Sequence, residues 1–102
     1  VKALQCHPCV GCWVPFNEGW GQFDAAGAVE AVRRLDDTRL VDEASGWYDQ
    51  GGGDVDSLHN YFYPLRVRPR SRVVALSEYG GIAWPMPGHE PPHKTYGYGT
   101  AK

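Results

Sequence analysis

From Val10 to Phe16 the chain is mostly apolar, then breaks off at the polar pair Asn17-Glu18, which Gly19-Trp20-Gly21 follows. An apolar run closed by turn formers predicts a buried parallel strand. Asp24 stands ahead of Ala25 to Leu35, where Ala28, Val29, Ala31, Val32 and Leu35 recur at helical spacing. A capped amphipathic helix is predicted there. Arg39 to Asp42 reads as a second short strand, and the short connections make this a strand–helix–strand unit with a parallel pair. Ala44 to Asp54 holds Gly51, Gly52 and Gly53 and reads as a loop. Val55 to Tyr63 predicts a third strand, carrying Asp56, His59, Tyr61 and Tyr63, and Val73 to Ser77 a fourth. Between them, Pro64 to Arg72 has no helical period. The tail from Tyr79 to Lys102 has no periodic stretch either, and a loop of that length is expected to shape a binding site.

One helix and about four strands cannot close a core, because parallel strands need cover on both faces. The expected fold is therefore α/β, a fragment of a (β/α)8 barrel that ordinarily runs to about 250 residues. Residues 1–102 form one partial barrel domain in this reading, with long glycine- and proline-rich loops. Such a piece leaves strand edges and a sheet face uncovered, so self-association is expected.

The 102 residues are 42% apolar with a net charge of −2, a composition that fits one globular domain. That weak acidity gives no footprint for nucleic acid. Arg66, Arg68, Arg70 and Arg72 alternate with other residues, but Pro69 interrupts the run and no aromatic platform is interleaved. No apolar run approaches the roughly 20 residues that span a bilayer, so no membrane partner is expected. The chain starts at Val1, and the natural N-terminus is expected to be missing; a cytoplasmic and a secreted or periplasmic location both stay open.

Two motifs look like metal sites. Cys6, Cys9 and Cys12 form C-x-x-C-x-x-C around His7, without the fourth cysteine of a ferredoxin run. Cys9 and Cys12 enter the first strand, where cysteine behaves as a small apolar residue. His89-Glu90-Pro91-Pro92-His93 has the letters of H-E-x-x-H, but its prolines deny the helix that would bring both histidines onto one face. No metal and no cofactor is expected.

The chemistry lies at two strand ends. Glu18 closes the first strand and Glu78 the fourth, each followed by glycines. Residues at the carboxyl ends of parallel strands face the ligand crevice. Two carboxyl groups flanking one bond are what glycoside hydrolysis requires.

His7-Pro8, Trp13-Val14-Pro15-Phe16-Asn17-Glu18, Asp37-Thr38-Arg39-Leu40 and Ser77-Glu78-Tyr79-Gly80-Gly81 occur in that order over nearly the whole chain. Together they resemble the catalytic half of glycoside hydrolase family 2, the family of β-galactosidases, β-glucuronidases and β-mannosidases. The resemblance implies that the strands are the fourth to the seventh of a (β/α)8 barrel. It implies a retaining β-glycosidase with Glu18 as acid/base and Glu78 as nucleophile. Asn17 would bond the sugar 2-hydroxyl and Tyr61 the nucleophile. Trp47, His59 and Trp84 would supply a stacking platform or polar contacts. The chain departs from the family in its second and third connections, which are too short for ordinary barrel helices. It also lacks the asparagine–lysine pair that reads a uronate carboxylate, which favours a neutral, galactoside-type sugar. Whether such a piece turns over substrate by itself stays open, and a carbohydrate-binding relative that does not catalyse is the alternative.

Overall fold

A computed structural model describes residues 1–64, 66–89 and 96–100. Its strands lie in four separate two-stranded pairs, all parallel. β1 (Cys12–Trp13) pairs with β3 (Leu40–Val41), and β2 (Phe16–Asn17) with β4 (Ala44–Ser45). The register is the same in both pairs, with Trp13 opposite Val41 and Phe16 opposite Ala44. They are one ladder with a gap at Val14–Pro15, because Pro15 has no N–H to donate. The Asp42 N–H donates to the Trp13 carbonyl at 2.9 Å, and the Glu18 N–H to the Ser45 carbonyl at 3.0 Å, continuing the ladder on either side of its paired residues.

The helix α1 (Ala25–Leu35) joins β2 to β3 and matches the predicted span. Asp24 caps it as expected, its carboxylate accepting from the Gly27 N–H at 3.2 Å. Arg33 and Arg34 occupy the last turn, where cations complement the helix dipole. The helix buries Ala25 and Val29 against a core that includes Val41, Ala44 and Val55.

β5 (Val55–Asn60) pairs with β6 (Val73–Tyr79), and β7 (Ile82–Ala83) with β8 (Gly99–Thr100). Two expectations need correcting here. The Ala44–Asp54 stretch opens as strand β4 rather than loop. Its remainder is tied down by the fully buried Glu43, whose carboxylate accepts from the N–H groups of Gln50 at 2.8 Å and Gly52 at 3.2 Å. The tail also contains paired strands, β7 and β8, which no periodicity announced because each is two residues long.

The larger correction concerns the fold class. A fragment of a (β/α)8 barrel is not what forms. Among the described residues there is one helix, and the four strand pairs do not join into a continuous sheet. The physical reason lies in the connections. Gly51 to Gly53 cannot sustain a helix between β4 and β5, nor can a stretch with Pro64 and Pro69 between β5 and β6. The parallel pairs thus form without helical crossovers. The radius of gyration is 17.0 Å, against about 13 Å for a compact domain of this length. Large apolar side chains stay exposed accordingly, among them Trp20, Phe23, Val73 and Ile82. No helix among the described residues is long and apolar enough to cross a membrane.

Candidate active site

Three elements converge on one polar cluster. Glu18 follows β2 directly and takes a left-handed conformation, φ 53°. That region is uncommon for a residue with a Cβ, and such strain concentrates at functional sites. On β5, Ser57 and His59 alternate with Leu58, and Tyr61 follows one residue past the strand end. Period-two alternation puts all three on one face. Glu78 comes from β6, where a bulge shifts the register: Leu58 faces Leu76, but His59 faces Glu78. Ser77 is the extra residue. Neighbours on a regular strand point to opposite faces, yet here the Ser77 hydroxyl meets Ser57 and Ser45 while the Glu78 carboxylate meets Tyr61. The bulge turns both toward the site.

The Tyr61 hydroxyl lies 2.7 Å from Glu18 Oε1 and makes a short contact to Glu78 Oε2. His59 Nδ1 lies 2.7 Å from the same Glu18 oxygen. Its Nε2 is 3.2 Å from Ser45 Oγ and 3.6 Å from Glu78 Oε1. The carboxylate partner fixes one direction: Nδ1–H donates to Glu18. The His59 side chain has no exposed surface, while Glu18 and Glu78 are 17% and 47% exposed. Histidine is therefore the buried backing of the site and the glutamates are its open face. Gly46 permits this, for a Cβ there would fall 2.3 Å from the His59 ring.

The electrostatics follow from those contacts. Hydrogen bonds from His59 and then Tyr61 hold the Glu18 carboxyl below its ordinary range. The Tyr61 phenol is pushed far above its ordinary value, first by its bond to Glu78, then by desolvation and Glu18. A phenol has one hydrogen and here it meets two carboxyl groups. Both contacts are hydrogen bonds at once only when the pair carries one further proton.

One oxygen from each glutamate and one His59 nitrogen lie within 4.8 Å of one another, the only group among the described residues close enough to hold a metal ion. As the cluster stands, those atoms are engaged with one another and with Tyr61. Cys6 and Cys9 are exposed and Cys12 is half-buried, its thiol pushed up by burial. The H-E-x-x-H letters fall at His89 to His93, of which only His89 lies within the described residues.

Of the other residues expected at the site, Trp47 sets its ring edge-on to His59 at 6.3 Å. Asn17 ends β2 beside Glu18 and is exposed. Trp84, one residue past β7, is exposed and makes no ring contact with the cluster. A hollow of about 320 Å³, lined by Gly19, Gln22 and Tyr48, starts at the residue after Glu18. The sequence reading missed Ser45, Ser57 and Ser77, the hydroxyl trio behind His59. The alternation Ser57-x-His59-x-Tyr61 was the signal that pointed to one of them.

No protein-family model and no curated protein matches the sequence.

Proposed function

We propose that the protein is a retaining β-glycosidase of the family 2 type, acting on a neutral, galactoside-type sugar. The single observation that carries this reading is the approach of the Glu18 and Glu78 carboxyl groups to within 4.8 Å, bridged by one phenol. Retaining enzymes hold their carboxyls roughly 5–5.5 Å apart, and inverting ones roughly 6.5–9.5 Å to admit a water.

The proton count supplies the mechanism. For the acid step Glu18 must carry a proton, against the bonds from His59 and Tyr61 that favour its ionised form, while the Tyr61 hydrogen serves the ionised Glu78. Glu78 attacks the anomeric carbon as Glu18 protonates the departing oxygen. Glu78 becomes an ester and loses its charge, while Glu18 gains one. The Tyr61 hydrogen is then free to turn from Glu78 to Glu18, where the His59 Nδ1–H already donates. Those two bonds favour ionised Glu18, the form produced by the acid step and required of the base that activates water in the second step. Asn17, beside Glu18, would hold the 2-hydroxyl.

The test is turnover of aryl β-galactoside, β-glucoside, β-glucuronide and β-mannoside by the full chain beside Glu78→Gln. Turnover of the galactoside, lowered roughly a thousandfold or more in the variant, is expected. Sugar binding with no turnover would replace the enzyme by a carbohydrate-binding protein using the same residues.

A further inference from the structure

Tyr61 is asked to reach two carboxylates with one hydroxyl, yet it stands one residue beyond the end of β5. The ladder does not fix its ring. What covers it is Tyr98, stacked at 4.4 Å between centroids and 18° between planes. Phe62 sets its ring edge-on to Tyr98 at 5.0 Å and to Tyr61 at 6.1 Å.

Tyr98 is itself held by the backbone. Its N–H donates to the Gly81 carbonyl at 2.8 Å, and the residues after it pair with β7. Gly81 has φ +74°, and a Cβ there would fall 2.6 Å from the Tyr98 ring. Gly80 and Gly81 follow Glu78-Tyr79 directly, so the segment that delivers the second carboxylate also seats the ring pressing on the phenol.

We propose that Tyr98 is a positioning residue, whose stacked ring fixes the Tyr61 phenol between Glu18 and Glu78. The positioning stands on geometry alone; its kinetic consequence rests on the glycosidase reading. A tilt of the Tyr61 ring lengthens one carboxylate contact as it shortens the other, which spoils the handover of the phenol hydrogen between them.

Two readouts separate the claims. In alkaline ultraviolet difference titration, with Tyr61→Phe identifying the Tyr61 signal, that phenol resists ionisation in the parent. In Tyr98→Leu it returns toward the ordinary value of about 10. In Tyr98→Phe, which keeps the ring, it stays resistant. On an aryl β-glycoside, Tyr98→Leu lowers kcat roughly tenfold or more with little change in KM, and Tyr98→Phe restores it. Should Tyr98→Leu lose the circular dichroism of the parent, Tyr98→Met fills the space without an aromatic face and carries the same expectation. A folded Leu or Met variant whose Tyr61 titration is unmoved overturns the proposal, whatever its kcat. A titration that moves in a protein that hydrolyses no glycoside supports Tyr98 and overturns the glycosidase reading alone.

Discussion

Two regions of the molecule bring carboxylates against donors, and they do it in opposite proportion. At Asp36 one carboxylate collects four donors: Thr38 N at 3.0 Å, Thr38 Oγ1 at 2.6 Å, Trp13 Nε1 at 3.0 Å and Arg39 Nη1 at 2.5 Å. The Arg39 guanidinium reaches on to the carbonyls of Val10 and Gln5, both at 2.7 Å, and so ties the first residues to the strand–helix–strand unit. Nothing in that knot can move a proton at neutral pH, since its cation keeps its charge. At Glu18 and Glu78 two carboxyls share one phenol hydrogen and one imidazole. Abundance of donors makes an anchor. Scarcity makes a proton position that chemistry can change.

Substitutions that remove a proton carrier should therefore strike rate, and those in the knot should strike stability. Glu18→Gln is expected to have the largest effect of three. It should slow hydrolysis of alkyl β-glycosides roughly 10²- to 10⁴-fold, and of aryl glycosides with good leaving groups far less. One limb of the pH–rate profile should vanish with it. Equal losses on both substrate classes would deny Glu18 the acid role. Tyr61→Phe should follow, slowing the glycosylation step roughly ten- to a hundredfold in pre-steady-state kinetics, because Glu78 loses a donor already in place. A full glycosylation rate in that variant would break the sharing argument.

Asp36→Asn should have the smallest effect on catalysis and a clear one on folding. Hydrogen bonds from Thr38 first, then from Trp13 and Arg39, hold the Asp36 carboxyl well below its ordinary value of 3.8. A carboxyl depressed in the folded state contributes stability above its ordinary value, lost as pH falls through the depressed one. The parent should thus exceed Asp36→Asn in Tm by several degrees at neutral pH. The gap should close as pH drops below 3.8. kcat/KM should be unchanged at neutral pH; a loss there would merge the two regions that the comparison separates.

The sequence announced what depends on local periodicity. α1 and its Asp24 cap were legible because helical spacing and capping chemistry are written within a dozen residues. Glu18, Glu78, His59 and Tyr61 were legible as strand-end or alternating polar residues, and the chain brings them together. Three things were not legible. The split of the first strand at Pro15 depends on which N–H groups its partner needs. The pairing of β7 with β8, and with it Tyr98, joins segments too short to carry a period. The barrel was inferred from strand directions, which are indeed parallel, but no residue pattern supplies the helices that a barrel requires.

The bulge at Ser77 has a consequence for how this chain can change over generations. Because one extra residue in β6 lets the Ser77 hydroxyl and the Glu78 carboxylate face the cluster together, the site depends on a count as well as on identities. Exchanging Ser77 for another small residue preserves that count. Deleting it restores regular alternation, sets Glu78 directly after Leu76 opposite His59 on the same face, and removes the hydroxyl that meets Ser45 and Ser57. The loss of a single codon there would therefore keep both glutamates at the site and take one member from the hydroxyl trio behind His59.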